Sequence, residues 1–404
     1  MNYIQGGVTA PKGFTAGGVH CGIRKNKTKK DLALIVSEVK GTAAAVYTQN
    51  LVKGAPLAVT KANISDGNAQ AVICNSGNAN TCNANGIEIA EGMCALVEKH
   101  TGISAKDVIV ASTGVIGQPL DLSPIANGMD ELVSSLNANG SFDAATAIMT
   151  TDTQLKECAV SFNVGGVECK MGGIAKGSGM IHPNMATMLV FVTSDVNISA
   201  ELLNKALSED VKDSFNMISV DGDTSTNDMV SVLANGMAGN KIIDKENEDY
   251  DAFKKALSAI TCKLCRMIAK DGEGATKLLE CNVKGAIDTA NARIVAKSVV
   301  CSSLFKAAMF GADANWGRVL CAIGYSGAKV DVSKVDVSFE SKAGFVNVCK
   351  NGSGIEFSED TAKNVLTEDE IMINITLGDG DGQATAWGCD LTYDYVKING
   401  DYRT

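Results

Sequence analysis

Gly172-Gly-Ile-Ala-Lys-Gly-Ser-Gly-Met-Ile-His-Pro-Asn-Met-Ala-Thr-Met-Leu-Val-Phe-Val192 joins a glycine-marked stretch to an uninterrupted apolar run. Gly172, Gly173, Gly177 and Gly179 reach backbone angles that other residues resist, and Pro183 pushes His182 out of the helical region. The approach to Ala186-Thr187 is therefore expected to be an irregular loop, and Met188–Val192 a buried strand. A hydroxyl at the mouth of a buried strand, its own peptide bond held by a tight loop, can attack the preceding carbonyl and shift the chain from amide to ester. Hydrolysis then leaves Thr187 as a new N-terminus. Thr187 is thus the candidate nucleophile and Ala186-Thr187 the candidate cleavage point, dividing the chain into 1–186 and 187–404.

Outward from this segment, short apolar runs at Ala71–Cys74, Val108–Ala111, Ile294–Ala296 and Ile371–Leu377 read as further strands. Helical stripes lie between them. Ile125, Met129, Leu132, Val133 and Leu136 follow Ser123-Pro124, where a cap and a first-turn proline are expected. Ile89, Met93, Leu96 and Val97 form a second stripe, and Leu203, Ala206, Leu207, Val211 and Phe215 a third. Interleaved helices and strands give an α/β or α+β class.

The chain has 404 residues and 45% hydrophobic content, enough to bury a large core and suited to two folded units. A formal charge of −10 without a long basic run argues against nucleic acid or an anionic membrane as the main partner and favours a small metabolite. Met1-Asn-Tyr-Ile-Gln-Gly-Gly lacks the basic and apolar regions of a signal peptide, and no apolar run nears the roughly 18 residues of a membrane helix, so a cytoplasmic location is expected. Thirteen cysteines in such a chain should be free thiols. Cys262-Lys-Leu-Cys265 lies within the helical spacing of Phe253, Leu257, Ile260, Leu264 and Ile268, so it reads as helix packing rather than a metal site. Leu377-Gly-Asp-Gly-Asp-Gly382 lacks the closing glutamate of a calcium loop and reads as a tight turn.

A threonine hydroxyl needs a base beside it, and a free α-amine with pKa of roughly 7.7 to 8.0 supplies one. Cleavage before Thr187 would create that base on the nucleophile itself. This matters because the only histidines are His20, His100 and His182, and His182 reads as a loop residue. Thr113-Gly114, where the Val108–Ala111 run opens into a glycine turn, could aim a hydroxyl and an N–H into a cavity; its spacing alone marks an ordinary strand-to-turn junction.

Lys176-Gly-Ser-Gly-Met-Ile-His-Pro-Asn-Met-Ala-Thr-Met-Leu189 resembles the self-cleavage motif of the ornithine acetyltransferases, the bifunctional glutamate N-acetyltransferases. Similar blocks occur at Gly6–Phe14, Asn75–Asn80, Ala111–Gly117, Ile148–Thr153, Ser219–Asp228, Asp271–Lys277 and Tyr395–Thr404. Ala314 stands where the family pattern has proline. The resemblance implies a layered α-β-β-α sandwich with the processed threonine between its sheets and a heterotetramer of two α and two β chains. It implies transfer of an acetyl group from N-acetyl-L-ornithine to L-glutamate through an acetyl-threonine ester, in arginine biosynthesis. No cofactor or metal is implied, although some family members take acetyl-CoA as a co-substrate. It assigns the oxyanion role to Thr113 and Gly114 and substrate binding to Thr150, Lys176, Thr187, Glu273, Asn399 and Thr404. By themselves Lys176 reads as a solvated loop lysine, Glu273 as a loop carboxylate after a helix ending near Lys270, and 399–404 as a frayed tail. The alternative is a self-processed aminopeptidase or amidase, in which water takes the acyl group.

Overall fold

The computed structural model describes residues 1–182 and 188–401. In chain order its strands are β1 (Asn2–Ile4), β2 (Phe14–Val19), β3 (Leu32–Tyr47), β4 (Asn68–Asn78), β5 (Val108–Val115), β6 (Lys156–Val164), β7 (Val167–Lys176), β8 (Leu189–Ser194), β9 (Ile218–Ser219), β10 (Met229–Ala234), β11 (Leu278–Ala286), β12 (Asp336–Ser341), β13 (Gly344–Lys350), β14 (Ser353–Gly354), β15 (Glu370–Thr376) and β16 (Gly382–Cys389). Among the described residues they form two sheets. The first runs β1, β6, β7, β8, β10, β3, β4, β5, with β2 also paired to β3; the second runs β14, β13, β12, β15, β11, β16, β9. The architecture is mixed α/β, as expected.

Two parallel pairs shape the first sheet. β8 runs parallel to β10 with Leu189 opposite Met229, and β4 runs parallel to β5 with Ser76 opposite Thr113. Val108-Ile-Val-Ala is buried on both faces, which explains an unbroken apolar run where a half-exposed strand would alternate. β7 and β8 are antiparallel, and Lys176 lies opposite Leu189, so the intervening segment leaves and re-enters the sheet at one pair.

The glycines at the start of the quoted segment serve packing rather than a loop. Gly172–Lys176 belongs to β7, and a Cβ on Gly172 would lie 1.7 Å from the Gly7 carbonyl oxygen. The irregular stretch therefore begins at Gly177. Ile294–Ala296 is also not a strand but part of a helix, Thr289–Cys301. Ala292, Val295, Ala296, Val299 and Val300 are buried at helical spacing, and the Asp288 side chain accepts from Asn291 N–H as its N-cap.

Helix Glu248–Lys270 connects the two sheets. Asn247 caps it, Glu248, Asp249 and Asp251 occupy its first turn and Lys270 its last, each charge opposing the helix dipole. Its stripe of Phe253, Leu257, Ile260, Leu264 and Ile268 is fully buried, and Cys265 is packed within it. The helix contacts β6 and β7 on one side and β11 and β16 on the other, and one apolar core spans both sheets. Asp271, its C-cap residue, is delivered to the floor of the site described next. Among the described residues, no helix is long and apolar enough to cross a membrane.

Candidate functional site

Gly114 and Thr150 line one cavity of about 470 Å³, together with Gly77, Gln118, Thr151 and the Ile23–Asn26 loop. Thr113 and Gly114 lie near the end of β5, beside Ser76 and Gly77 of β4. Gly114 has φ of +135°, and a Cβ there would stand 2.3 Å from the Gly77 carbonyl carbon, so only glycine fits. Side chains fix this strand end from behind. Ser112 Oγ donates to Asn75 Oδ1 at 2.6 Å, Ser76 Oγ to the Ala147 carbonyl at 2.6 Å, and Asn227 Nδ2 to the Ser112 carbonyl at 3.0 Å.

The other expected substrate residues are tied to this cavity through one buried charge cluster. Asp152 accepts from Thr150 N–H through Oδ2 at 2.9 Å and from Gly177 N–H through Oδ1 at 2.7 Å, thereby fixing Thr150 and the neighbour of Lys176. Lys156 Nζ bonds Asp152 Oδ1 at 2.7 Å and also Asp271 Oδ2. Asp271 in turn accepts from Thr153 N–H and Oγ1. Burial would raise the Asp152 pKa, but the charges of Lys176 and Lys156 and the Gly177 N–H hold it well below the carboxylate range. Two residues beyond Asp271, Glu273 N–H donates to the Ser178 carbonyl at 3.0 Å, and Asn399 Nδ2 donates to Glu273 Oε2 at 2.8 Å.

Two readings change here. Lys176 is no solvated loop lysine: it closes β7 and is buried, because Gly177 continues the chain inward to Asp152. Asn399 is not frayed but lies on helix Tyr393–Gly400, capped by Thr392. Glu273 does follow the helix ending at Lys270. Thr187, Ala186 and Thr404 lie outside the described residues.

Around that segment the described groups are defined. His182 Nδ1 lies 3.1 Å from Ser219 Oγ and 3.5 Å from Cys301 Sγ, and burial, reinforced by the Lys297 charge, lowers its pKa to about 4. It is a neutral imidazole at pH 7. Met229 N–H donates to the Met188 carbonyl at 2.9 Å, placing Asp228 beside the residue that follows Thr187 in sequence. Asp228 is fully buried, which raises its pKa well above the usual range, and its Oδ2 has no partner among the described residues. A larger cleft of about 840 Å³, lined by Thr153, Asp271, Gly274, Asp394 and Lys397, contains none of the expected site residues.

A family model described as the ArgJ family matches residues 15–404. The chain belongs to the ArgJ family. It is 52% identical over the full length of both chains to the arginine biosynthesis bifunctional protein ArgJ of Caldanaerobacter subterraneus subsp. tengcongensis. It is 48% identical to the protein of the same name from Bacillus subtilis, with 99% of this chain and 97% of that one covered. A crystal structure of the ArgJ protein from Bacillus halodurans, at 48% identity and a TM-score of 0.50, matches 52% of this chain and 98% of its own.

Sequence reasoning missed Lys156 in this ArgJ chain, along with the roles of Asp152, Asp271 and Asp228. The last three lie inside the family-like blocks Ile148–Thr153, Asp271–Lys277 and Ser219–Asp228, and that was the available signal. Lys156 follows Asp152 by four residues, but nothing local joined either of them to Asp271, 115 residues beyond Lys156.

Proposed function

We propose that this chain is a self-processing acetyltransferase of arginine biosynthesis that moves the acetyl group from N-acetyl-L-ornithine to L-glutamate. Thr187 Oγ attacks the acetyl carbonyl while the Thr187 α-amine takes its proton. That proton passes to the departing nitrogen, ornithine leaves, and an acetyl ester remains on Thr187. The glutamate amine then attacks the ester, and Oγ recovers a proton as N-acetylglutamate leaves. Thr113 and Gly114 would donate to the oxyanion of both tetrahedral intermediates. Lys176 would pair with the α-carboxylate that both substrates carry, and Glu273, held by Asn399, with an ammonium group. Thr150 and Thr404 would complete the binding set in a cytoplasmic assembly of two α and two β chains.

The observation that carries this reading is the single carboxylate of Asp152, which fixes Thr150 and the neighbour of Lys176 beside the cavity that Gly114 lines. Membership of the ArgJ family supports it. So does the size of the Bacillus halodurans chain, almost wholly matched by 52% of this one, because cleavage before Thr187 would leave a β chain of 218 of the 404 residues (404 − 186).

The test is the denatured mass of the purified protein, followed by incubation with N-acetylornithine. Chains of 186 and 218 residues are expected, the second gaining one acetyl group that glutamate removes. A single 42.0 kDa species rejects the reading. Acetate released at the same rate with and without glutamate would make the enzyme an amidase.

A further inference from the structure

Arg24-Lys25-Asn26-Lys27-Thr28-Lys29-Lys30 carries five cations in seven residues of a chain whose formal charge is −10. Such a run is ordinarily a solvated loop, but this one is built. Asp31 is fully buried and accepts the N–H groups of Cys21 at 2.6 Å, Gly22 at 3.3 Å and Arg24 at 2.9 Å. Asn26 Oδ1 accepts from Thr28 N–H and Oγ1, His20 Nδ1 lies 2.9 Å from the Lys29 carbonyl oxygen, and Lys30 is paired with Asp143. The Arg24 stem packs on Gly77, the register partner of Gly114. The loop is therefore held against the end of β4 and β5.

Its cations face the site. Arg24, Lys25 and Lys29 line the 470 Å³ cavity with Gly114 and Thr150, and the lining contains no carboxylate. Lys30 has its partner in Asp143, but among the described residues no carboxylate stands within ion-pairing distance of Lys25 or Lys29. Two uncompensated charges at the entrance to the cavity distinguish ligands by net charge before any contact is made. Within the proposed reaction this distinction has a direction. Free glutamate carries one net negative charge, N-acetylornithine none, and ornithine one net positive charge.

We propose that Lys25 and Lys29 form a cationic entrance that draws in the anionic acyl acceptor and disfavours return of the cationic amino acid released in the first half-reaction. The proposal rests on the reading of function above, which supplies the two ligands. It assigns selectivity to residues outside the expected binding set, which meet the ligand at the rim rather than at the reacting atoms.

The test is calorimetric binding of glutamate and of ornithine to the purified full protein, which needs no turnover, in the wild type, in Lys25→Gln/Lys29→Gln and in Lys25→Arg/Lys29→Arg. At low salt the glutamine pair should weaken glutamate binding about three- to tenfold while leaving ornithine unchanged or tighter. The arginine pair should restore the wild-type values, and about 0.5 M salt should erase the difference. Equal weakening of both ligands would mean that the substitutions only disturb the loop, and unchanged glutamate affinity would remove the entrance role; either overturns the proposal. Wild-type protein that binds both amino acids with the expected charge preference but forms no acetyl ester would instead sink the catalytic reading and leave the entrance standing.

Discussion

Lys156 Nζ lies 2.7 Å from Asp152 Oδ1 with both side chains sealed from solvent, and the same ammonium reaches Asp271. One cation thus bridges two carboxylates from segments far apart in sequence, and the Lys176 charge also acts on the first of them. Lys156→Met should cost about 3–5 kcal/mol in urea unfolding, because it removes the ammonium that bridges two buried carboxylates. Adding Asp152→Asn to that variant should recover part of the loss. The Asp152 pKa is depressed in the fold, so the stability it contributes is present above about pH 4 and lost as pH falls below it. A wild type equally stable at pH 2.5 and pH 6 would contradict this.

Thr113 and Gly114 should separate under mutation. Thr113→Ala removes a hydroxyl from a strand end that glycine geometry and backbone pairing still define. Turnover should fall about 10²- to 10³-fold with little change in melting temperature. Gly114→Ala forces a Cβ to 2.3 Å from the Gly77 carbonyl carbon and should lower both. Full activity in Thr113→Ala would remove it from the oxyanion role.

His182 should give stability its own pH signature. Its folded pKa of about 4 lies below the ordinary value near 6.5, so the unfolded chain binds more protons between those limits and stability rises with pH across that window. His182→Gln should flatten the slope between pH 4 and 6.5 and leave the rest of the profile unchanged. Unfolding followed at half-unit intervals in both proteins measures it.

Asp228 should show the opposite sign. Burial raises its folded pKa, so the unfolded chain releases the proton first and stability is lost as pH rises above about 4. Asp228→Asn should raise the melting temperature at pH 7, with the gain shrinking toward pH 4. A loss of stability at pH 7 would mean that the carboxyl is charged and satisfied in the fold.

Much of the fold was legible because long elements display their own period. The Glu248–Lys270 helix repeats its apolar stripe over about four turns, from Phe253 to Ile268, and Val108–Ala111 sits in a run too short for a helix and too apolar for a surface strand. Ile294–Ala296 was misread because three apolar residues carry no period; the helix is visible only when Ala292, Val299 and Val300 are counted with them. In the site, spacing alone marks Thr113-Gly114 as an ordinary strand-to-turn junction, and only the family resemblance singles it out; both residues lie within β5. Lys176 looked solvated because its glycine and serine neighbours suggest a surface loop, whereas long-range pairing buries it opposite Leu189. In the cluster, Asp152 and Lys156 are four residues apart, but Asp271 joins them only when the Glu248–Lys270 helix has packed on β6 and β7, and no local pattern marks that meeting.

The strand order of the first sheet governs what a cut before Thr187 would produce. β8 and β10 lie after that point in sequence, while β7 on one flank and β3 on the other lie before it. The two pieces would be interlaced like the teeth of a closed zip, with a pair of strands from one held between two groups from the other. Pulling them apart would require breaking two backbone ladders at once, so they would part only by unfolding. Such a cut would fall in an already woven sheet, and halves synthesised separately would each begin life with an open seam.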